Sequence, residues 1–343
     1  MKINPHTLFK KAEKKRASSR FMEAIPLYLE AKRLASLDPA LKADCFFSLG
    51  DAYRMTGDFI KAGACYREAA RLSLLLGDNV RALDAFVGIG LSLRATGEIK
   101  EALAIFDRSL KGYKGIKDRA GVAFTIWARS GALRIKGDLK EAIRGFKEAK
   151  GMFSRLGDLR SAAYCLTGLG GASRVLGRYG DSHRYYMEAN KAFTRLRDTF
   201  GRAYSYCGVA NSLRMRGDFK GSLVFFRKAK GDYGKIGDRV SRAYTLWGEG
   251  VSLAMLGLDS KAAANFKEAS ALFRRTKDRR GLVYCLISSG AERFKKDRKK
   301  GIKAVRAALK DALMLGLRVE AGYAKRLLSA MEKGGGGIPM NFA

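Results

Sequence analysis

The sequence is poor in the residues that interrupt helices or build reactive sites. Only four prolines occur among 343 residues, which favours long uninterrupted helices over a loop-rich β fold. The two histidines, His6 and His183, are too few and too far apart in the sequence for a metal site or a catalytic triad. We therefore expect a protein that is not an enzyme, with no catalytic residues, no bound metal and no cofactor.

Closely spaced cysteines and long apolar runs are also lacking. The five cysteines include no CxxC pair, which argues against a zinc ribbon or a thioredoxin-like motif. No apolar stretch approaches the ~20 residues that a membrane span requires, and the first twenty residues hold no apolar core of a secretory signal. We expect a cytoplasmic protein with reduced thiols and no membrane insertion.

Acidic residues are scarce relative to basic ones. Lys and Arg number 67 against 33 Asp and Glu, which gives a formal net charge of +34. A charge this far from zero attracts polyanions and acidic protein surfaces. The alternative is a solvated basic surface that has no particular partner.

Glycine and aspartate recur with a period of 40 residues. The glycines of the first register are Gly57, Gly97, Gly137, Gly177, Gly217 and Gly257. The aspartates of the second register are Asp38, Asp78, Asp118, Asp158, Asp198, Asp238 and Asp278. Such a period is typical of a repeat architecture, in which each unit buries its apolar face only against its neighbours.

Each unit is predicted to form two helices. The first runs from about Ala43 to Thr56 and ends at Gly57, because glycine readily takes the left-handed backbone that closes a helix. The second runs from about Phe59 to Leu76, and Asp78 then caps the next helix. A small–aromatic–small stripe recurs in the second helices, first as Ala62, Tyr66 and Ala69. This stripe predicts that successive hairpins stack.

These columns resemble the tetratricopeptide repeat. The residues that carry the resemblance are Leu49, Gly50, Tyr53, Gly57, Ala62, Tyr66 and Ala69, with their counterparts in later units. The 40-residue period is similar to the long repeats of Pins-type adaptors, kinesin light chains and Rap-type regulators. The resemblance implies an all-α, right-handed superhelical solenoid of seven to eight hairpins with a C-terminal capping helix. It also implies a concave groove that binds peptides or proteins.

The repeat pattern divides the chain into a solenoid over 1–333 and a glycine-rich flexible tail over 334–343. The expected repeats are approximately 5–38, 43–78, 83–118, 123–158, 163–198, 203–238, 243–278 and 283–316, followed by a capping helix over 319–333.

A column of arginines is the strongest candidate binding site. It comprises Arg54, Arg94, Arg134, Arg174 and Arg214, near the ends of successive first helices, and we call it the arginine ladder. On the resemblance, this column lines the concave groove together with Trp127, Trp247, Tyr164, Tyr204, Tyr244, Tyr284 and Asn211. Guanidinium groups bind carboxylates and phosphates in a bidentate manner, and aromatic rings add stacking surface. The alternative is that the arginines pair with aspartates inside the protein.

The ladder is interrupted at Ala254 and Phe294, so we expect the anionic part of a ligand to lie over the first five repeats. A second cluster of basic residues, the basic end patch, comprises Arg293, Lys295, Lys296, Arg298, Lys299 and Lys300. It is either a contact for an acidic partner or phosphate, or a soluble cap that stops further stacking.

The sequence therefore predicts a non-catalytic scaffold or adaptor that binds an acidic peptide or protein segment in a concave groove. A nucleic-acid-binding basic solenoid is the leading alternative, because aromatic rings stack on bases while arginines hold phosphates. A third reading is a regulator that senses a peptide or small ligand, similar to Rap-type proteins. It ranks last because the sequence shows no separate N-terminal effector bundle. The partner's identity and the oligomeric state stay open.

Overall fold

The computed structural model describes residues 4–333 and 341–342, which contain seventeen α-helices and no β-strand. The predicted all-helical repeat solenoid is confirmed. The helices are α1 (Pro5–Ala17), α2 (Phe21–Leu34), α3 (Pro39–Thr56), α4 (Phe59–Leu75), α5 (Asn79–Thr96), α6 (Ile99–Gly115), α7 (Arg119–Lys136), α8 (Leu139–Arg155), α9 (Leu159–Val175), α10 (Tyr179–Arg195), α11 (Thr199–Met215), α12 (Phe219–Ile236), α13 (Arg239–Met255), α14 (Asp259–Thr276), α15 (Arg279–Phe294), α16 (Arg298–Met314) and α17 (Arg318–Lys333).

The first helix of a unit begins earlier than the sequence predicted. Helix α3 starts at Pro39 instead of about Ala43, because the Asp38 carboxylate accepts a 2.9 Å hydrogen bond from the Leu41 amide. Proline fits the first turn of a helix, where its missing N–H would have no partner. The helix ends as predicted at Gly57, whose φ of 82° is left-handed.

The turn between units alternates between glycine and a long basic residue. Gly77, Gly157 and Gly237 take positive φ at this position. In the intervening units the residues with the same left-handed conformation are Lys117, Arg197 and Lys277, with φ of 59°, 53° and 55°. A side chain with a Cβ is strained in the left-handed region, so these three turns store a small amount of backbone strain.

Aromatic rings fill the space between stacked hairpins. The Tyr66 ring is only 1% exposed, and a Cβ added at Gly88 would lie 2.5 Å from it. A Cβ added at Gly90 would similarly lie 2.5 Å from the Phe106 ring. Glycine at these positions lets the backbone of one helix rest directly on the ring of another.

The superhelix closes on itself. Phe21 of α2 and Ala52 of α3 belong to one buried apolar cluster with Tyr233 and Ile236 of α12. On the opposite side, Arg318 at the start of α17 donates a 2.9 Å hydrogen bond to the Lys136 carbonyl and forms an ion pair with Asp138. These contacts join helices from distant repeats, so the array curves back on itself around the groove predicted from the sequence.

The C-terminal end is more ordered than predicted. Helix α17 covers the last hairpin with Leu317, Tyr323 and Met331 in a shared core, as expected for a capping helix. Phe342, which was predicted to lie in a flexible tail, is buried in the same core. Two residues of the predicted tail, Asn341 and Phe342, thus pack against the solenoid, and its remaining residues, 334–340 and 343, lie outside the part that the structure describes.

Candidate functional site

The helices of the superhelix enclose a channel. It consists of two adjoining cavities of about 390 and 270 Å³, which share Arg94, Arg134, Ile135 and Tyr204. Helices α3, α5, α7, α9 and α11 provide most of the wall of the first cavity, and α13 and α15 add to the second. We call this space the inner channel.

Four arginines of the ladder line the inner channel, namely Arg54, Arg94, Arg134 and Arg174, and their surroundings differ. Arg54 is paired inside the protein: its Nη2 lies 3.4 Å from Asp51 Oδ1, and its Nε donates to the Tyr66 hydroxyl at 3.3 Å. The Tyr66 hydroxyl in turn donates to Asp51 at 2.7 Å. Internal pairing therefore describes Arg54, although its partner lies one turn earlier on the same helix and not between repeats.

The three middle members of the ladder have no such partner. Within the described part of the chain, no carboxylate lies at ion-pair distance from Arg94, Arg134 or Arg174. Arg94 donates only to the Ala128 carbonyl, at 3.3 Å, and its guanidinium lies 5.8 Å from the Trp127 ring centre. The Nε and Nη1 atoms of Arg174 are buried and have no hydrogen-bond partner in residues 4–333 or 341–342.

Burial and neighbouring arginines disfavour the charged form of Arg94 in the channel. Burial lowers the pKa of Arg94 to about 10, and repulsion by Arg134 and Arg54 contributes in the same direction. Like charges held close together without a counter-ion raise the free energy of the folded protein. An anionic ligand would relieve this repulsion.

Arg214, at the C-terminal end of the ladder, is fully buried. Its Nη2 donates to Asn211 Oδ1 at 3.1 Å, and its guanidinium lies 5.3 Å from the Trp247 ring centre. Its other acceptors come from residues 341–342. Burial, followed by repulsion from Arg174, lowers its pKa to about 9.

The predicted aromatic residues divide into two groups. Trp247 and Tyr284 are 4% and 3% exposed, and their ring centres lie 4.5 Å apart, so both are chiefly part of the core. Trp127, Tyr164 and Tyr204 are only partly buried and face the first cavity. Tyr244 is likewise partly buried and faces the second cavity.

Matched charges occupy the C-terminal side of the channel. Asp278 lines the second cavity and caps α15 by accepting a 2.8 Å hydrogen bond from the Gly281 amide. Arg280, also in that wall, pairs with the fully buried Glu320 at 2.7 Å. By contrast, Arg94, Arg134 and Arg174, on α5, α7 and α9, have no carboxylate at ion-pair distance among the described residues.

The basic end patch lies on a different surface, at the turn between α15 and α16. Two of its lysines are already paired: Lys295 with Asp259 and Glu292, and Lys300 with Asp297. Arg298 packs against the Phe294 ring, and Arg293, Lys296 and Lys299 are exposed. The patch and the arginine ladder do not form one site.

Residues 4–333 and 341–342 lack the features of a metal site and of a membrane span. They hold no group of three or more His, Cys, Asp or Glu side chains that could hold one metal ion. None of their helices is both long and apolar enough to cross a bilayer.

Sequence reasoning missed Phe124 and Phe200 in the inner channel, and Asn341 and Phe342 beside Arg214. Phe124 lies in the second turn of α7 and Phe200 in the first turn of α11; both face the first cavity and stack near Trp127 and Tyr204 respectively. An aromatic residue in the first two turns of a channel-lining helix was the available signal. Asn341 and Phe342 follow a run of glycines, and nothing in the repeat pattern predicts where they pack.

Known proteins support the repeat assignment. Residues 43–115 match the family model described as tetratricopeptide repeat, which confirms the predicted repeat type. No curated protein matches the sequence.

Several solved structures share the fold, and two of them, both of Rap proteins, match nearly the whole chain. A Rap protein complexed with competence and sporulation factor superposes with a TM-score of 0.63 at 10% identity, over 96% of this chain and 98% of that one. The Rap conjugation gene regulator of plasmid pLS20, in complex with the Phr* peptide, gives 0.64 at 14% identity, over 99% and 93%. Aspartyl phosphate phosphatase F from Bacillus subtilis gives 0.58 at 15% identity, over 78% and 70%. At these identities the likeness shows the fold alone.

Proposed function

We propose that this tetratricopeptide-repeat chain is a non-catalytic interaction protein whose inner channel binds an acidic peptide or an acidic segment of another protein. The observation that carries the proposal is a set of three arginines, Arg94, Arg134 and Arg174, that have no carboxylate partner among residues 4–333 and 341–342. Three like charges held partly buried in one cavity cost free energy, so a protein that keeps them there needs a reason to do so. A carboxylate of a bound ligand supplies that reason.

The chemistry of the channel wall fits a peptide. Arginine forms charge-assisted hydrogen bonds of about 1.5–3 kcal/mol each with carboxylates. Trp127, Tyr164 and Tyr204 offer partly exposed rings beside these arginines, against which apolar side chains of a ligand pack. The first cavity, of about 390 Å³, falls in the size range of small-ligand sites. A short extended segment enters such a cavity, and a folded domain does not.

The fold neighbours support the same proposal. Two of the Rap structures contain a bound factor or peptide, namely competence and sporulation factor and the Phr* peptide. The structural match covers 98% of one Rap chain. The lack of a separate N-terminal effector bundle in the sequence is therefore not a reason to place a peptide-sensing regulator behind the other two functions. Peptide binding in the channel serves either a scaffold or a peptide-sensing regulator.

Nucleic acid is the competing ligand, because the net charge is +34 and the channel combines arginine with aromatic rings. The two ligands differ in how their affinity depends on salt. For single-stranded nucleic acid, the logarithm of the affinity falls with the logarithm of salt concentration at about 0.7 per phosphate contacted. A peptide with one or two carboxylates gives a much shallower dependence.

Selection from a displayed library of random heptapeptides tests the proposal. We expect Asp and Glu to be enriched over the starting library in the peptides that the full chain retains. A ten-nucleotide single-stranded DNA is measured in parallel at several salt concentrations. Failure to enrich acidic peptides, together with tight binding of the oligonucleotide, would replace the proposed function with the nucleic-acid reading.

The arginines are then tested with the best selected peptide. The double variant Arg134→Gln/Arg174→Gln removes two charge-assisted contacts and should weaken binding by about 100-fold or more. The matched control Lys299→Gln/Lys300→Gln removes the same net charge from the basic end patch and should leave the affinity within about twofold, since exposed charges contribute little. Equal weakening in both variants would mean that net charge, and not the channel, binds the peptide.

A further inference from the structure

The chain's own C-terminal residues occupy the end of the arginine ladder. Arg214 Nη1 donates to Asn341 Oδ1 at 2.6 Å, and Asn341 Nδ2 donates to the Arg214 carbonyl at 2.9 Å. Arg214 Nη2 also donates to the Phe342 carbonyl, at 3.2 Å. The site therefore uses both the acceptor and the donor of a side-chain amide, together with one main-chain carbonyl. That combination identifies an asparagine within an extended peptide.

The next residue fills an aromatic pocket. The Phe342 ring is stacked on Tyr284 with an interplanar angle of 9° and centres 6.2 Å apart. It also lies 5.1 Å from the ring centre of Tyr323 and 5.9 Å from that of Trp247. Only 7% of Phe342 is exposed. Three aromatic walls around one ring select an aromatic side chain by shape and by stacking.

The site extends beyond residues 341–342. A cavity of about 420 Å³ lies beside Asn341 and Phe342, lined also by Tyr323. The Tyr323 hydroxyl is buried and has no hydrogen-bond partner among the described residues. A cavity and a buried donor beside the dipeptide are features that a ligand longer than the dipeptide would use.

We propose that Arg214, Trp247, Tyr284 and Tyr323 form a recognition site for an asparagine–aromatic dipeptide, and that residues 341–342 are its resident occupant. The inference deepens the proposed function, since Arg214 continues the ladder that lines the inner channel. A peptide partner that combines an acidic segment with an asparagine–aromatic pair fills the channel and this site together. To do so, it must displace the chain's own residues.

Competition in trans tests the site. The probe is a fluorescein-labelled hexapeptide with the sequence of residues 338–343 (IPMNFA), and the protein is the full chain with Asn341→Ala/Phe342→Ala, which vacates the site. A tethered segment has an effective local concentration on the order of millimolar. For a hexapeptide Kd of about 0.1 mM, the wild-type chain should therefore bind the probe about tenfold more weakly than the vacated variant.

Two controls distinguish specific binding of the hexapeptide from non-specific binding. A hexapeptide with alanine in place of both the asparagine and the phenylalanine should bind neither protein. Arg214→Lys in the vacated variant keeps the charge but loses the forked geometry of the guanidinium group. It should lower the affinity for the probe by about tenfold or more, because about one charge-assisted hydrogen bond is lost. Equal binding of the probe to wild-type and vacated chains, or none to a vacated chain whose circular dichroism is that of the wild type, would overturn the inference.

The outcomes also distinguish this inference from the proposed function. Arg134→Gln/Arg174→Gln in the vacated chain should retain the hexapeptide, which has no acidic side chain, and lose the selected acidic peptide. Binding of the hexapeptide without any acidic-peptide binding supports the dipeptide site and refutes the proposed function. The reverse result refutes the dipeptide site and leaves the proposed function standing.

Discussion

Removing an unpaired arginine should stabilise the ligand-free protein while it abolishes binding. Arg174 is the sharpest case, because its Nε and Nη1 atoms are buried without a hydrogen-bond partner in the part of the chain that the structure describes. Methionine at this position keeps most of the apolar stem and removes the polar head. An unsatisfied buried donor costs about 1–3 kcal/mol, so Arg174→Met should raise the free energy of unfolding by roughly that amount.

The matched control is Arg54→Met, which removes an arginine from the same column. Arg54 has partners: Asp51 at 3.4 Å and the Tyr66 hydroxyl at 3.3 Å. Its loss leaves Asp51 with fewer counter-charges, so the control should lower the free energy of unfolding by about 1–3 kcal/mol. The two variants change the same residue type in the same register but should shift stability in opposite directions.

Thermal melting followed by circular dichroism measures both effects. At about 2.1 cal/mol/K per residue, 343 residues give an unfolding entropy of about 0.7 kcal/mol/K, so 1 kcal/mol shifts Tm by about 1.4 °C. We expect Tm to rise by about 1–4 °C in Arg174→Met and to fall by a similar amount in Arg54→Met. If Arg174→Met melts as early as Arg54→Met does, then Arg174 is a structural residue and the reasoning fails.

Three further predictions concern the fold. Lys117→Gly relieves a left-handed φ of 59° and should stabilise the chain by about 0.5–1 kcal/mol in urea unfolding; a loss of stability would mean that the lysine side chain makes a needed contact. Gly88→Ala places a Cβ 2.5 Å from the Tyr66 ring and should cost about 1–3 kcal/mol, whereas Gly231→Ala, with no atom within 4 Å, should be neutral or stabilising by up to about 1 kcal/mol. Burial raises the folded-state pKa of Asp238 to about 6 from an ordinary value of 3.8, so the folded state binds more protons between these values and stability falls as pH rises from about 4 to 6. Asp238→Asn keeps the helix cap and should remove up to about 3 kcal/mol of that pH dependence; unfolding curves at pH 4 and pH 7 that change equally in variant and wild type would contradict it.

The repeated helices were predictable because residues next to each helix determine where it begins and ends. Gly57 closes one helix through a left-handed backbone, and Asp38 opens another through a side-chain cap. The same reasons recur every 40 residues, so the sequence predicts the hairpins and their order. The first helices begin a few residues earlier than predicted; in α3 this is possible because a proline, Pro39, fits the first turn of a helix.

Closure of the superhelix was not predictable in the same way. The ion pair of Arg318 with Asp138 joins residues 180 positions apart, and it depends on the small rotation between successive hairpins added over the whole array. No single residue encodes that sum. The sequence therefore predicts a groove, whereas the folded chain has a channel.

The arginine column was predictable as a column, but its electrostatics were not. Arg54 and Arg174 occupy the same register, and only the first is paired, because Asp51 lies outside the repeated pattern. Arg214 is satisfied by Asn341, which is 127 positions away beyond the last repeat. Non-repeated residues thus decide which members of the ladder are free for a ligand.

A crystal structure of the full chain with the best selected acidic peptide tests the central claim most directly. The account predicts that a ligand carboxylate oxygen lies about 2.7–3.0 Å from a guanidinium nitrogen of Arg94, Arg134 or Arg174 inside the inner channel. A peptide bound on the outer surface, or at the basic end patch with the channel unoccupied, would contradict it.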